Sequence, residues 1–282
     1  MTTPPAPPAA PETPVVPTAE EIWPFAGLRV VSDDLELRYL DDELLLRLAA
    51  LAGQGVHEPD AMPFLTPWTR GTPLEVARSV VAYHWRNRAE ASADKLSVEL
   101  AVVRDGEVLG TQGFYAGKFA VTRTAETGSW LGLRFHGHGV GTRMRRAVLH
   151  LLFEGLGAGE VTTVAFADNA PSNGVTRRLG YEPNGTAVVA REGKATTENR
   201  YRLTREAWEA QTDRPDVELH GVEPVREFLG LDHPQTPRGR PPAGPLREVG
   251  PGRGPSRGRG RRVSVRRPRR RPSPTSARYA SG

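Results

Sequence analysis

Apolar side chains repeat with the period of a helix in one segment near the middle of the chain. The spacing i, i+3, i+4, i+7, i+8 is followed by Met144, Ala147, Val148, Leu151 and Leu152. Because this spacing brings side chains onto one helical face, it predicts an amphipathic helix. The glycine at position 155 predicts its end.

Two earlier helices are predicted from the residues at their N-termini. Segment 41–52 opens with two aspartates, which suit the positive end of a helix dipole. Segment 73–91 has Thr72 as its N-cap and Pro73 in its first turn. Glu75 is placed to complete a capping box with Thr72.

The remaining apolar runs predict strands. Segments 96–103 and 107–115 are two such runs, and the Asp105-Gly106 pair between them is typical of a hairpin turn. A short helix over 171–179 is predicted to end at Gly180. The other predicted strands are 35–39, 125–133, 161–167, 181–191 and 199–203. This mixture predicts one α/β domain of roughly 200 residues, without internal repeats.

Composition divides the chain into four parts. Residues 1–27 are rich in Pro and Ala, and residues 233–282 hold 14 arginines against the single acid Glu248. The formal charge of +5 is therefore the sum of +13 in this C-terminal segment and −8 in the rest. Both terminal segments lack hydrophobic periodicity and are predicted to be disordered tails. Between them we predict a domain over 28–206 and a C-terminal extension over 207–232.

Several classes of protein are excluded by composition. The chain contains no cysteine, which excludes a disulfide framework, a zinc ribbon, an iron–sulfur site and a thiolate nucleophile. No apolar run approaches the roughly 18 residues of a membrane span. The first basic residue, Arg29, comes too late for an export signal. We therefore expect a cytoplasmic protein with no membrane segment.

A glycine-rich loop follows a predicted strand and precedes the amphipathic helix. It is Arg134-Phe-His-Gly-His-Gly-Val-Gly-Thr142, and free N–H groups at a helix N-terminus bind anions such as phosphate. A Walker A loop is excluded because Gly141 is followed by Thr142 without a lysine. The glycine spacing also differs from the G-x-G-x-x-G of a dinucleotide fold. The loop predicts a phosphate-bearing ligand, and a tight turn without a ligand is the alternative.

Three motifs together resemble the GNAT N-acetyltransferases. His136-Gly-His-Gly-Val-Gly141 is similar to their Q/R-x-x-G-x-G/A acetyl-coenzyme A loop, with histidine where glutamine or arginine is usual. Glu126-Thr-Gly-Ser-Trp-Leu131 is similar to the fourth strand of the ribosomal-protein (RimJ/RimL-like) branch. Downstream, Asp168-Asn-Ala-Pro-Ser-Asn-Gly-Val-Thr-Arg-Arg-Leu-Gly-Tyr181 is similar to that branch's N-x-x-S-x-x-V-x-x-x-L-G-F pattern. The resemblance covers about residues 28–206.

The resemblance implies an α/β (α+β) fold with a mixed, mostly antiparallel central sheet flanked by helices. Two neighbouring strands would splay apart around the pantetheine arm of acetyl-CoA. The implied reaction is direct transfer of acetyl from the thioester to a primary amine in a ternary complex, without a metal. The implied coenzyme-binding residues are Leu131, Gly132, Leu133, His136, Gly137, His138, Gly139, Val140, Gly141, Thr142, Arg143 and Asn169.

Glu126 and Ser172 are the catalytic residues that the resemblance implies. Glu126 would accept the proton of the amine, and Ser172 would protonate the leaving thiolate. Each residue has a structural alternative, since Glu126 could pair with Arg123 or Arg134 at the surface and Ser172 could cap a helix. Glu99 on the neighbouring hairpin is a second candidate base.

Other polar residues near the loop have less specific roles. Arg143 is a candidate for the 3′-phosphate of the coenzyme, whereas Arg145 and Arg146 are expected on a solvated helix face. His136 and His138 could suggest a metal site, but no third ligand lies at a suitable spacing.

The acceptor and the partners are less defined by the sequence. Trp68, Trp85, Tyr115 and Trp130 are candidates for a substrate groove, although such aromatics are more often core. The acidic body favours a cationic acceptor such as a peptide N-terminus, a polyamine or an aminoglycoside. The arginine tail predicts an alternative function, non-specific RNA or ribosome binding with a weak or inactive acetyltransferase domain. The sequence does not distinguish a monomer from a dimer.

Overall fold

A nine-stranded sheet organises the residues that the computed structural model describes, which are 16–214 and 216–231. The strands are β1 (Arg29–Ser32), β2 (Leu35–Tyr39), β3 (Lys95–Arg104), β4 (Glu107–Gly117), β5 (Thr124–Leu131), β6 (Glu160–Phe166), β7 (Glu182–Arg191), β8 (Lys194–Thr204) and β9 (Glu218–His220). Their order across the sheet is β7-β8-β6-β5-β4-β3-β2-β1-β9. Each neighbouring pair is antiparallel except β5–β6, which is parallel. The expected mixed, mostly antiparallel sheet is confirmed.

Helices flank this sheet. They are α1 (Ala19–Ile22), α2 (Asp42–Gly53), α3 (Pro73–Glu90), α4 (Phe119–Thr122), α5 (Val140–His150), α6 (Ala170–Arg178), α7 (Arg205–Glu209) and α8 (Val222–Phe228). The capping box of α3 forms as predicted, because Glu75 N donates to Thr72 Oγ1 at 3.4 Å and Thr72 N donates to Glu75 Oε2 at 2.8 Å. Asp41 caps α2 by accepting from Leu44 N at 2.8 Å.

The amphipathic helix α5 continues beyond its regular part. It passes into a π-helical turn over Leu151–Gly155, in which Leu156 N donates to Leu151 O at 2.9 Å. Its predicted apolar stripe lies in the core, and the helical segment ends at Gly155 as predicted.

The sheet separates two apolar cores. On one face α5 packs against a cluster that includes Leu131, and on the other α2 and α3 pack against a cluster that includes Trp130. Since successive strand residues point to opposite faces, Glu126 and Gly128 share the face of Trp130, while Ser129 shares the face of Leu131. This alternation decides which side chains of β5 meet which helix.

The structure changes some predicted boundaries. The strand predicted over 125–133 ends at Leu131, because Leu133–Phe135 form a 3-10 turn. The strand predicted over 199–203 is the second half of β8, whose first half pairs with β7 in a hairpin. This first half, from Lys194 to Glu198, is rich in polar residues, and no alternation of apolar residues indicated a strand there.

Both ends of the described chain contribute to the domain. Phe25, inside the predicted leader, is 1% exposed and lies in the core. In the predicted extension, β9 pairs with β1, and Val225 of α8 is buried. A three-residue strand is too short for a periodicity to appear in the sequence. Residues 1–15 of the predicted leader and the whole of the predicted C-terminal tail, 233–282, lie outside the described residues.

Candidate functional site

The parallel strands β5 and β6 separate halfway along their length. Their register pairs run from Thr124↔Glu160 to Thr127↔Thr163, whereas the pairing of β5 with β4 continues to Leu131. Within the described residues, the last section of β5 therefore has a sheet neighbour on one side. The other side faces an opening, which we call the wedge, bounded by 128–131 of β5 and 164–166 of β6.

Two main-chain positions of β5 point into the wedge. Gly132 N donates to Leu109 O at 2.9 Å on the β4 side, so by alternation the N–H and C=O groups of Ser129 and Leu131 point to the wedge. Leu133 N donates to Gly55 O at 3.1 Å. Of the predicted coenzyme residues 131–133, Leu131 therefore directs its main-chain groups into the wedge, whereas the N–H groups of Gly132 and Leu133 already have partners within the domain.

The N-terminus of α5 is open next to the wedge. Gly139, its N-cap, has a φ of 75° and supplies no side-chain cap, and Gly137 has a φ of 77°. A Cβ added at Gly137, Gly139 or Gly141 would meet no atom within 4 Å. The first N–H groups of a helix have no intrahelical acceptor. The loop therefore presents main-chain donors at an unobstructed face, as an anion site requires.

The arginines of α5 have three different environments. Arg143 pairs with Asp34, and Arg146 Nη2 pairs with Asp213 Oδ2 at 3.0 Å. Arg145 is 2% exposed, so its expected place on a solvated face is wrong. The apolar stripe of α5 is wider than the sequence indicated, because α6 as well as the sheet packs against it.

A cleft of about 810 Å³ lies beside the wedge. One wall is Trp130, Leu131 and Leu133, and the other comes from residues 56–64 between α2 and α3. His136 and Asn169 complete its polar end, so four of the predicted coenzyme residues line one cleft. His136 Nε2 lies 3.1 Å from Leu131 O, which fixes its ring against the strand.

The tip of the β7–β8 hairpin covers this cleft. Arg191 Nη1 donates to Met62 O at 2.9 Å, and Arg191 also pairs with Asp168 at 2.5 Å. Arg70 donates twice to Glu192, at 2.9 and 3.3 Å. We call these contacts the clamp, since they connect the hairpin tip to residues 62–70 and to Asp168 at the cleft.

Ser172 lies at the first turn of α6 and is 4% exposed. Asn169 is the helix cap, because its Oδ1 accepts from Ser172 N at 3.1 Å. The alternative of Ser172 as the capping residue is therefore wrong. Ser172 Oγ is buried and has no hydrogen-bond partner within the described chain, so this hydroxyl can still form a hydrogen bond.

Two carboxylates lie on the α3 face of the sheet near the wedge. Glu126 is half-buried and is paired in register with Tyr115 and Thr162. Glu99 is buried, where it accepts from Tyr115 Oη at 2.6 Å and from Thr111 Oγ1 at 3.0 Å. Burial raises the pKa of Glu99 to about 7, although both hydrogen bonds oppose the rise.

Glycines make room for Glu99. A Cβ at Gly113 would lie 2.5 Å from Glu99 Oε2, and Gly113 is paired with Gly128 of β5. A cavity of about 10 Å³, the size of one water, is lined by Glu99, Gly128 and Trp130. Trp130 also lines the cleft, so it separates the buried carboxyl from the larger site.

The aromatic candidates divide between core and surface. Trp130 and Trp68 are buried with ring centroids 5.5 Å apart, and Phe64 lies 4.8 Å from Trp68. Tyr115 is the partner of Glu99. Trp85 is 54% exposed and donates to Asp42 at 3.2 Å, so it lies outside the cleft lining.

Sequence patterns did not indicate several parts of this site. Residues 56–64 and the hairpin tip at 191–196 line the cleft from segments without a motif. Arg178 Nη1 lies 3.5 Å from Thr142 Oγ1, which brings a second cation to the loop. These parts of the site were found only because the fold brings them together. The pair of arginines at the end of α6 was the one feature of the sequence that indicated any of them.

Metal and membrane signals were searched across residues 16–214 and 216–231. No group of three His, Cys, Asp or Glu side chains suited to a metal occurs among them. No helix in this part of the chain is both long and apolar enough to cross a bilayer.

Two parallel strands that separate beside an uncapped helix N-terminus are the arrangement expected for an acetyltransferase of the GNAT fold. The model of the acetyltransferase (GNAT) domain matches residues 34–182, more than half of the chain. The chain therefore belongs to the GNAT acetyltransferase family. It is therefore an acetyltransferase, as the sequence motifs predicted.

Known proteins agree in sequence and in fold. "Putative ribosomal N-acetyltransferase YdaF" of Bacillus subtilis (strain 168) is 26% identical over 157 residues, which are 56% of this chain and 82% of that protein. A GCN5-related N-acetyltransferase from Brucella melitensis has a TM-score of 0.50 at 18% identity, covering 64% of this chain and 80% of that one. A GNAT-family acetyltransferase from Bacillus anthracis has a TM-score of 0.50 at 16% identity, covering 63% and 99%.

Proposed function

We propose that this acetyltransferase modifies the α-amino group of a protein N-terminus or a small-molecule amine, with both substrates bound in the cleft. The observation that carries the proposal is the end of the β5–β6 ladder at Thr127, together with the open N-terminus of α5 that follows β5 and the glycine loop. An extended ligand paired with Ser129 and Leu131 would continue to the loop over 136–143.

The described residues fit the parts of acetyl-CoA. Main-chain donors of the loop suit the pyrophosphate, and Arg178 and Arg143 are the cations beside it. Arg143 already pairs with Asp34, so we assign the 3′-phosphate to Arg178 first. Asn169 caps α6, and we assign the unpartnered hydroxyl of Ser172, in the first turn of that helix, to the coenzyme.

When bound, acetyl-CoA supplies a thioester carbonyl at which a C–N bond forms and from which the C–S bond breaks, leaving the electron pair on sulfur. Glu126 is our choice to take the proton from the amine, since it is half-buried on the face of Trp130. Ser172 is our choice to donate a proton to sulfur. Glu99 is fully enclosed, so it would act through Tyr115 or a water.

An α-amino group is the easier acceptor for such a site. Its pKa is roughly 7.7–8.0, against about 10.4 for lysine. The difference of about 2.5 pKa units means that an enzyme must supply roughly 3.4 kcal/mol more to deprotonate lysine than to deprotonate an α-amino group. Glu58 and Asp60 at the rim of the cleft favour a cationic acceptor. YdaF, by its name a ribosomal N-acetyltransferase, supports a protein acceptor.

Replacing Glu126 by glutamine tests the proton acceptor. Calorimetry would first measure the affinity of the full chain for acetyl-CoA, and a panel of peptides and small amines would then identify the acceptor. We expect Glu126→Gln to lower kcat about 100-fold at pH 7, with a smaller loss at high pH where the amine is already neutral. Binding of acetyl-CoA should stay within about twofold of the unmodified chain, because the carboxylate is not assigned to the coenzyme.

Glu182→Gln is the matched control, since the side chain of Glu182 is 64% exposed on β7. Normal turnover of Glu126→Gln at both pH values would remove Glu126 as the base and favour Glu99. Absence of acetyl-CoA binding and of amine acetylation by the unmodified chain would contradict the proposal itself.

The arginine-rich segment 233–282 adds a second binding function to the proposal. Its charge of +13 suits the phosphate backbone of RNA or the ribosome surface. We expect the full chain to bind RNA with an affinity that falls steeply with salt, and a chain ending at Asp232 to lose this binding while keeping acetyl-CoA. Equal RNA binding by both chains across a salt series would contradict this assignment. We also propose that the protein is located in the cytoplasm.

A further inference from the structure

Arg145 is a buried cation without a counter-charge in the described chain. Its side chain is 2% exposed on α5. Nη2 donates to Ser129 Oγ at 3.2 Å and Nη1 donates to Thr176 Oγ1 at 3.0 Å, while Nε has no partner within the described residues. Tyr181 is the titratable group beside it, and burial raises the pKa of Tyr181, so this phenol is neutral.

This arrangement is costly for the fold. A guanidinium stays protonated in proteins, even though burial lowers the pKa of Arg145. A buried ion without an opposite charge loses its hydration and gains little in return. Two hydroxyl acceptors do not neutralise it, and a neutral side chain could make similar bonds to Ser129 and Thr176. The positive charge itself is therefore the feature that needs a role.

The position of Arg145 indicates that role. Ser129 belongs to the section of β5 that borders the wedge, and Thr176 belongs to α6 on the opposite side. Thr176 Oγ1 in turn donates to Ser172 O at 2.9 Å, one helical turn from the unpartnered Ser172 Oγ. Arg145 thus connects the β5 wall of the wedge to α6, the helix that carries Ser172.

We propose that Arg145 is a positioning residue whose charge stabilises the thiolate of coenzyme A in the wedge. The inference rests on the proposed coenzyme site. In the transfer step the amine nitrogen bonds to the carbonyl carbon, its proton goes to the base, and the C–S electron pair leaves on sulfur. Arg145 exchanges no proton in this step. A fixed cation in a site of low dielectric favours the form in which sulfur carries negative charge.

The test measures the thiol pKa of bound coenzyme A from the pH dependence of its ultraviolet thiolate absorbance. Full-length protein is used with Arg145→Met, which is neutral, and Arg145→Lys, which keeps the charge. Arg146→Met is the matched control, because Arg146 is the next residue of α5 and pairs with Asp213 outside the wedge.

In the unmodified chain we expect the bound thiol to titrate about one unit below free coenzyme A. Arg145→Met should return the thiol pKa to the free value and lower kcat about tenfold, with acetyl-CoA affinity within about twofold. Its Tm should be equal or higher, since a buried charge has been removed. Arg145→Lys should keep most of the pKa shift, and Arg146→Met should keep all of it.

An unchanged thiol pKa in Arg145→Met would overturn the proposal, and so would a lower Tm with unchanged kcat, because both indicate a purely structural role. If Arg145→Met does not fold, Arg145→Gln provides the same comparison with a hydrogen-bond donor retained. Failure of both neutral variants to fold while the lysine variant folds normally would also assign Arg145 to structure alone. No binding of coenzyme A by the unmodified chain would overturn the proposed function together with this inference.

Discussion

Two buried ionisable groups lie on opposite faces of one short section of β5. Glu99 lies beside Gly128 on the α3 face, and Arg145 lies behind Ser129 on the α5 face. Strand alternation places Glu99 and Arg145 on opposite faces of the sheet, so neither side chain neutralises the charge of the other. A fold that keeps both ionisable groups buried sacrifices stability at this section, which is expected where electrostatics contribute to chemistry.

Glu99 gives a pH dependence of stability whose sign is fixed. Burial raises the pKa of Glu99 from 4.5 to about 7 in the folded protein. Its contribution to stability is therefore complete below pH 4.5 and is lost as the pH rises to about 7. As the pH rises across this range, we expect the free energy of unfolding of the unmodified chain to fall by roughly 3 kcal/mol relative to that of Glu99→Gln. Urea unfolding at a series of pH values measures it.

A plateau should follow above the folded pKa, because the carboxylate is then fully ionised in both states. Glu182→Gln, at an exposed position, should run parallel to the unmodified chain at every pH. If the pH dependence of stability were the same in Glu99→Gln as in the unmodified chain, the Glu99 carboxyl would not be held neutral by burial.

At the scale of elements, the start of α5 combines two kinds of glycine. Gly139 has a left-handed φ of 75°, which the turn into the helix requires. Gly141 lies within the helix at an ordinary φ, and a Cβ there would meet nothing within 4 Å. The fold therefore needs Gly139 for its backbone, whereas it has no evident need of Gly141.

This difference separates folding from ligand binding. We expect Gly139→Ala to lower the free energy of unfolding by about 1–2 kcal/mol, because alanine is strained at this φ. Gly141→Ala should be neutral or stabilising, by up to about 1 kcal/mol, yet weaken acetyl-CoA at least about tenfold because its methyl enters the proposed phosphate face. Thermal melts measure the stability of the two variants, and calorimetry measures their affinity for acetyl-CoA. Unchanged acetyl-CoA affinity of Gly141→Ala would place the pyrophosphate elsewhere.

At the scale of the whole molecule, the clamp connects segments far apart in the chain. Arg70 lies in the loop between α2 and α3, while Glu192 lies in the β7–β8 turn, 122 positions later. Both side chains are about one-third to one-half exposed. Exposed ion pairs add little to stability, so the clamp is better suited to shaping the cleft entrance than to holding the fold.

Breaking the clamp should therefore affect the acceptor more than the fold. We expect Arg70→Ala and Glu192→Ala each to raise the KM for the acceptor several-fold, with the Tm shifted by little and the KM for acetyl-CoA nearly unchanged. The double variant should resemble either single one, since both remove the same contact. Glu209→Ala, which breaks an exposed pair with Arg205, is the control. Additive effects, or a parallel loss in acetyl-CoA affinity, would refute this role.

Sequence patterns predicted the parts of the fold that depend on neighbouring residues. The capping box at Thr72, the hairpin turn at Asp105-Gly106 and the stripe of α5 are local, and each is observed. The β9 strand and the first half of β8 were missed because a short or polar strand forms only when a partner strand supplies its hydrogen bonds.

The sequence alone determined the family, the glycine loop and the order of most elements, because motif chemistry and helical or strand periodicity are written in short stretches of chain. Tertiary structure alone decided the environments of Arg143, Arg145 and Arg146. These are three identical side chains within four positions of one helix. Arg143 pairs with Asp34, Arg145 is buried against Thr176, and Arg146 pairs with Asp213. Burial of a charge is set by what packs around it, and the elements around Arg145 come from three separate regions of the chain.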